Sequence, residues 1–176
     1  RINAQLIEAS TGERLWAERY DGDLGDIFGL QDRITREIVS ALALKLTPAE
    51  RVGVARRDTR SLKAYEQFLR GREHFYRYSR QDNEIAKRYY EQALKEDPEF
   101  AKAYIMLARA NMFDVQNGWS TAPERSLERV FELAGRGIAL DASIPEAYFA
   151  TGLAYRARNE YAKALREAER AIALDP

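Results

Sequence analysis

The spacing of hydrophobic positions separates a short β-type start from a longer helical remainder. Apolar and polar residues alternate over residues 2–7 and again over 14–20, and turn-forming residues lie between the two stretches. This pattern predicts a β-hairpin. Because two strands alone are marginal in water, we expect the hairpin to pack on a following helix, on a sheet outside this sequence or on a second chain.

An amphipathic helix is predicted after the hairpin. A polar break covers residues 21–26, and beyond it apolar residues recur every three or four positions. These positions are Ile27, Leu30, Ile34, Ile38 and Leu42. The aspartates of the break, Asp21, Asp23 and Asp26, lack the glycine and glutamate that a calcium loop needs at fixed spacing. We interpret them as a helix-capping turn, with Asp26 as the cap.

Residues 47–61 are predicted to be a linker, because they contain Pro48 and Gly53 and no sustained apolar stripe. A basic cluster in this segment could contact an acidic partner or nucleic acid, but a solvated linker is the favoured interpretation. Its members are Arg51, Arg56, Arg57 and Arg60.

Self-similarity is the strongest signal in the rest of the sequence. Three segments each end a helix on aspartate followed by proline or alanine. They are residues 90–98, 134–142 and 168–176. Asp175 follows Asp141 by 34 residues, whereas Asp141 follows Asp97 by 44. The alternation predicts three helix pairs, with an insert in the middle pair at residues 114–124.

The final repeat resembles the tetratricopeptide family, because seven of its residues stand at the family's spacing. They are Tyr148, Gly152, Tyr155, Tyr161, Ala164, Ala171 and Pro176. The resemblance implies a mainly α fold, an α-solenoid of about three helix pairs whose concave side is lined by the first helix of each pair. Small residues such as Ala86, Ala93 and Gly152 are expected to let paired helices approach closely. The repeats are assigned to residues 62–98, 99–142 and 143–176.

A partner-binding groove is predicted at the positions that face inward in this family. They are Lys102, Ile105, Arg109 and Met112 in the middle repeat and Glu146, Phe149, Leu153 and Arg156 in the last. This mixture suits an extended peptide or a partner helix, with Phe149 and Met112 as anchors and Arg109 as a carboxylate partner. Some of these side chains could instead pack between repeats.

One specialised version of the family is disfavoured. It grips a terminal carboxylate with paired lysine and asparagine side chains, and Met106 and Ala150 stand here where such an asparagine would be.

The first 45 or so residues resemble a second family. Residues 4–7, 15–18 and 26–28 are similar to the end of a TolB-like α/β domain that precedes tetratricopeptide repeats. This resemblance assigns residues 1–46 to a truncated α/β unit. In bacteria the arrangement follows class III adenylate or guanylate cyclase domains, and also DNA-binding regulator domains. It therefore implies a segment of a longer bacterial signalling protein, and no cyclase residue is carried over.

Composition and charge exclude several function classes. With 28 basic and 28 acidic residues the net charge is zero, which leaves no broad positive field for nucleic acid. There is no cysteine and a single histidine, His74, so a usual zinc site lacks ligands. No phosphate-binding loop or activated nucleophile is present. We expect no catalytic residue, metal or cofactor in this chain, no membrane helix and a cytoplasmic location.

The leading hypothesis is a regulatory protein–protein interaction or scaffolding module. The first alternative is an oligomerisation element that uses the hairpin edge or the open ends of the repeats. A small-molecule sensor and a regulator's sensor segment are further alternatives. Within the insert, Trp119 could anchor a partner, and packing onto the neighbouring helices is the favoured interpretation.

Overall fold

The structure is a computed structural model that describes residues 2–7, 11–21, 29–31, 33, 34, 37 and 58–176. The chain divides into two units, residues 1–62 and 63–176. Two strands lie near its start, β1 (Ile2–Ile7) and β2 (Arg14–Tyr20). Residues 58–176 contain six helices: α1 (Leu62–Phe75), α2 (Arg80–Glu96), α3 (Ala101–Gln116), α4 (Pro123–Leu140), α5 (Pro145–Ala157) and α6 (Tyr161–Leu174). The predicted mainly α fold with a hairpin at its start is confirmed.

β1 and β2 pair in an antiparallel hairpin. Ile2 lies opposite Tyr20, and the register shifts between Leu6 and Ile7. Gly12, in the connection, has a φ of +71°, a left-handed conformation that glycine adopts at little cost.

The described residues between 29 and 37 are helical, in agreement with the predicted amphipathic helix. Leu30 is buried and Ile34 is half-buried, whereas Asp26, Ile27, Ile38 and Leu42 lie outside the described residues. The hydroxyl of Tyr20 in β2 donates a hydrogen bond of 2.5 Å to Glu37. Burial, followed by this hydrogen bond, raises the pKa of Tyr20 to about 12.

The repeated aspartates end the second helix of each pair. Asp97, Asp141 and Asp175 follow α2, α4 and α6, and the backbone N–H of each donates to the carbonyl four residues before it, at 2.8–3.1 Å. The carboxylates of Asp97 and Asp141 then accept the backbone N–H two residues ahead, at 3.0 and 2.9 Å. The aspartate therefore stops the helix and turns the chain toward the next repeat.

Aromatic rings fill the space between the first two helix pairs. Phe68 of α1 lies 5.8 Å from Tyr90 of α2 and 4.8 Å from Phe100, measured between ring centroids. All three side chains are at most 4% exposed. Tyr90 reaches this position because Gly71 has no side chain, and a β-carbon there would lie 2.6 Å from the tyrosine ring.

Burial differs strongly along the row of helices. α3 lies beside α2, α4 and α5, and nine of its sixteen residues are buried. α6 pairs with α5 and has no buried residue. Its Tyr161, Leu165 and Ile172 are 62–64% exposed. The inner helix α3 is therefore covered by three neighbouring helices, whereas α6 is covered by α5.

Two glycines of α4 give a matched test of close helix packing. A β-carbon at Gly137 would lie 2.6 Å from Cγ1 of Ile105, whereas a β-carbon at Gly135 meets nothing within 4 Å. We expect Gly137→Ala to lower the free energy of unfolding by about 1–2 kcal/mol through overpacking. Gly135→Ala should raise it by about 0.5–1 kcal/mol, because alanine favours the helix. Urea denaturation measures both, and equal effects of the two changes would contradict this account of the packing.

Candidate partner-binding surface

The predicted groove residues on α5 lie mostly at the surface. Phe149 is 50% exposed, and Glu146 and Arg156 are also exposed. Leu153 is half-buried and packs against the main core, the hydrophobic cluster that includes Phe68, Tyr90 and Phe100. The guanidinium of Arg156 makes no ion pair with any carboxylate in the described part of the chain. An aromatic ring and an unpaired cation are therefore available on one helix.

The predicted groove residues on α3 behave differently. Lys102 and Arg109 are half-buried, but Ile105 and Met112 are only 1% and 2% exposed. Ile105 packs with Ala101, Ile144 and Ala147, and Met112 belongs to the main core. The expectation that Ile105 and Met112 line an open groove is therefore corrected, since neighbouring helices cover those positions.

Two exposed residues, Arg72 of α1 and Tyr76 just after it, also lie at the surface and were absent from the predicted set. Arg72 lies 6.0 Å from the ring centroids of both Phe68 and Tyr76. Tyr76, just after α1, is 46% exposed. On α3, Arg109 lies 5.4 Å from the ring centroid of Phe75. Each guanidinium is thus held against an aromatic ring by a cation–π contact.

The insert of the middle repeat folds back as a short loop after α3. The N–H groups of Trp119 and Ser120 donate to the carbonyl of Asp114 at 2.8 and 3.2 Å. The indole of Trp119 meets Phe113 edge to face, with centroids 5.4 Å apart. Trp119 therefore packs onto α3, and Arg80 of α2 donates to its carbonyl at 3.3 Å.

The carboxylate of Asp114 connects α3 to α2. It accepts hydrogen bonds from Asn83 at 2.6 Å and from Lys87 at 2.5 Å. Burial lowers the pKa of Lys87, but hydrogen bonds to Asp114 and Glu84 outweigh burial, so the net shift is upward. The side chain of Asp114 is only 8% exposed. These hydrogen bonds join α2 to α3 next to the insert loop.

A cleft of about 820 Å³ opens between α2, α4 and the insert loop. Acidic and basic side chains share its walls. They include Arg80, Glu84, Arg125, Glu128, Arg129 and Glu132. The mixture has no dominant sign of charge, and Arg129 is already paired with Glu132 at 2.7 Å. The cleft therefore selects no ligand class.

The single histidine takes part in the turn between α1 and α2. Its Nδ1 lies 2.7 Å from Oδ1 of Asp82, and its ring stacks on Tyr89 with centroids 5.7 Å apart. The Ser79 hydroxyl and then His74 hold the pKa of Asp82 below its usual range. Within the described ranges, no three acidic or histidine side chains are grouped so that they could hold a metal ion.

Comparison with known proteins identifies the repeats. Residues 145–176 match the family model described as tetratricopeptide repeat. The last helix pair is therefore a tetratricopeptide repeat. In this repeat fold the first helices α3 and α5 lie side by side, whereas a cleft separates the second helices α2 and α4. This repeat fold is a protein-interaction fold.

Two solved structures share the fold of the repeats. One is described as "TPR2B-domain:pHsp70-complex of yeast Sti1"; it is 29% identical, has a TM-score of 0.52, and the match covers 65% of this chain and 82% of that one. The other is "Second TPR of Spaghetti (RPAP3) bound to HSP90 peptide SRMEEVD", 19% identical with a TM-score of 0.52. That match covers 64% of this chain and 93% of the other, and at this identity it shows the fold alone.

A longer relative extends the likeness beyond the repeats. The Rhizobium meliloti (strain 1021) protein named "Putative adenylate cyclase 3" is 38% identical over 154 residues. The match covers 88% of this chain but 26% of the relative, so the chain spans about a quarter of that protein's length. In the described part of the chain, every helix is too short or too polar to cross a membrane.

Replacing Asp114 tests the tie between α2 and α3. We expect Asp114→Asn to lower the free energy of unfolding by about 2 kcal/mol, because Asn83 and Lys87 lose a charged acceptor in a mostly buried place. Glu128→Gln, an exposed change in the same cleft, should stay within about 0.5 kcal/mol of the parent. Urea denaturation measures the free energy of unfolding of both variants. If Asp114→Asn leaves this free energy unchanged, the hydrogen bonds of Asp114 contribute no stability.

Proposed function

We propose that the first-helix surface of these repeats binds an extended segment of a partner protein. The observation that carries this proposal is that Phe149 and Arg156 are both exposed on α5, and that Arg156 makes no ion pair among the described residues. A half-exposed aromatic ring supplies apolar contact area, and an unpaired guanidinium supplies a bidentate donor for carboxylate. Of the two solved structures that share the fold, one is bound to an HSP90 peptide and the other is a complex with pHsp70. These complexes support a peptide-like partner.

We further propose that the module is a regulatory segment of a bacterial signalling protein such as a nucleotide cyclase. The support is the match to the Rhizobium meliloti relative, which covers 88% of this chain and so includes residues before the repeats. In this proposal residues 1–46 end a TolB-like unit, 47–61 are a linker and the repeats occupy 62–98, 99–142 and 143–176. The module then acts in the cytoplasm by holding a partner near the catalytic domain.

A second candidate function is self-association, favoured by one observation on the last helix. Tyr161, Leu165 and Ile172 form an apolar stripe along α6 and are 62–64% exposed. Large uncovered apolar side chains in a row are typical of surfaces that meet another surface. The exposed Ile2 and Ile7 of β1 add apolar surface to the hairpin. Both features are compatible with an oligomerisation element.

Peptide selection tests the proposed binding function. A displayed library of random peptides is selected on the immobilised chain, and the affinity of the selected peptides is measured by fluorescence anisotropy. We expect the double variant Phe149→Ser with Arg156→Glu to bind them at least tenfold more weakly, because a central aromatic anchor and an ion pair are both removed. Circular dichroism should stay unchanged, since both side chains are exposed.

The control variant makes the same kinds of change on second helices. Leu165→Ser with Arg136→Glu removes an exposed apolar side chain and reverses one charge on α6 and α4, and it should bind like the parent. Unchanged binding by the Phe149 and Arg156 variant would reject this location. A selection that enriches no peptide would reject the proposed function.

Light scattering separates the two candidate functions. If α6 mediates self-association, the parent chain should be dimeric at high concentration and Leu165→Ser with Ile172→Ser should be monomeric. A parent chain that stays monomeric would exclude self-association through this stripe. Peptide binding by the monomeric variant would show that the two surfaces act independently.

A further inference from the structure

Tyr78 has a backbone conformation that its side chain disfavours. It lies in the turn between α1 and α2 with a φ of +54°, in the left-handed region. The turns after α3 and α5 also contain a left-handed residue, Gly118 with a φ of +66° and Asn159 with a φ of +61°. Glycine and asparagine adopt this conformation readily, whereas a bulky aromatic residue rarely does. The first repeat therefore has a tyrosine where the other two have a residue suited to the turn.

Burial does not explain the choice of tyrosine at this turn. Tyr78 is 62% exposed, so its ring removes little apolar surface from water. The ring contacts Tyr76 and Phe113, with centroids 6.3 and 5.8 Å apart. Backbone strain without a matching gain in burial is concentrated at functional sites. Tyr78 therefore marks a surface with a role beyond the fold.

Tyr78 is one of four aromatic residues that form a continuous surface, the turn surface. The other three are Tyr76, Phe113 and Trp119. The centroids of neighbouring rings are 5.4–6.3 Å apart, and the ring planes lie at 60–85° to one another. Tyr76 is 46% exposed, and Phe113 and Trp119 are half-buried. Because neighbouring rings are inclined and not stacked, parts of their faces stay uncovered.

The polar groups of the turn surface can donate hydrogen bonds. The hydroxyls of Tyr76 and Tyr78 and the indole N–H of Trp119 form no hydrogen bond within the described part of the chain. Arg72 lies 6.0 Å from the ring centroid of Tyr76 and makes no ion pair with a described residue. A tyrosine hydroxyl can donate, and indole and guanidinium groups only donate. The turn surface therefore combines apolar ring faces with available donors.

We propose that the turn surface binds a proline-rich segment of a partner protein in the polyproline II conformation. Such a segment has no internal hydrogen bonds, so its backbone carbonyls are free to accept them. Proline also lacks an N–H group, and the segment therefore offers acceptors that complement the donors of the turn surface. Proline rings pack on aromatic side chains in grooves that recognise this conformation.

Charge distinguishes this ligand from single-stranded nucleic acid, which also stacks on aromatic rings beside arginine. Proteins of that class add a positively charged groove, whereas this chain has 28 basic and 28 acidic residues. Next to Tyr76 and Tyr78, Arg77 is paired with Glu73 at 2.5 Å and with Asp82 at 3.4 Å. The balance of charge therefore favours an uncharged proline segment over a phosphate backbone.

Three fluorescein-labelled probes test the ligand class. They are an octamer of proline, an octamer of alternating glycine and serine, and a single-stranded thymidine octamer. Each is added to the full chain, and binding is followed by fluorescence anisotropy. We expect the proline octamer to bind with little dependence on salt, because its residues are uncharged. The proposal is overturned if the proline octamer does not bind, if the glycine–serine octamer binds equally well, or if the thymidine octamer binds in its place.

Tyr78→Asn separates a binding role from a structural one. Asparagine suits the left-handed turn, so the Tm should be unchanged or raised, while the proline octamer should bind at least about tenfold more weakly. Tyr161→Asn is the matched control, because Tyr161 is 64% exposed and follows the corresponding turn of the last repeat. This control should bind like the parent. A lowered Tm of Tyr78→Asn would show that packing within the chain offsets the strain and would overturn the proposal, as would equal binding by the two variants.

Trp119→Phe tests the donor at the other end of the turn surface. It keeps an aromatic ring and removes the indole N–H, so the proline octamer should bind several-fold more weakly. Trp16→Phe changes the only other tryptophan, which lies in β2, and should leave binding unchanged. Equal binding by these two variants would contradict the proposed match of donors and acceptors.

The inference does not rest on the proposed function, because the turn surface uses residues other than Phe149 and Arg156. The variant Phe149→Ser with Arg156→Glu should therefore bind the proline octamer like the parent. Loss of this binding in that variant would overturn the turn surface as a separate site. Failure of the proline octamer while the selected peptides still bind through Phe149 and Arg156 would reject the turn surface and leave the proposed function standing.

Discussion

The repeat region depends on close approach between helices, which only small side chains allow. At Gly71 and Gly137 a β-carbon would lie 2.6 Å from an atom of Tyr90 or Ile105. Ala86, Ala93 and other small residues are fully buried in the same interfaces. Because protein interiors are close-packed, an added methyl group must displace its neighbour. Gly71 therefore lets the Tyr90 ring approach α1 closely and pack against Phe68.

This packing produces a gradient of burial that shapes the surface. α3 has helices on several sides and buries most of its residues, whereas α6 contacts α5 and buries none. In a repeat array each helix pair is completed by its neighbours, so similar sequences are inside in one repeat and outside in another. The side chains that remain open on first helices, such as Arg72, Phe149 and Arg156, are those with no helix across from them.

The candidate site shows how far repeat spacing can predict a surface. Phe149 and Arg156 were expected at the surface and lie there, but Ile105 and Met112 hold equivalent positions on α3 and are buried. Arg72 and Tyr76 were missed because the spacing of α1 departs from the regular repeat. One signal could have found Arg72: like the predicted Arg109, it directly follows a small residue of a first helix, Gly71 in one case and Ala108 in the other.

The sequence by itself determined the hairpin, the helix pairs and their ends, because these depend on local chemistry. Alternation, three- and four-residue spacing and the aspartates at 97, 141 and 175 act within one turn or one strand. Only the tertiary structure decided which face of each helix stays open and which polar groups lie together. Asn83 and Lys87 of α2 form hydrogen bonds with Asp114 of α3 only once those helices are packed, since exposure and convergence depend on neighbours distant in the chain.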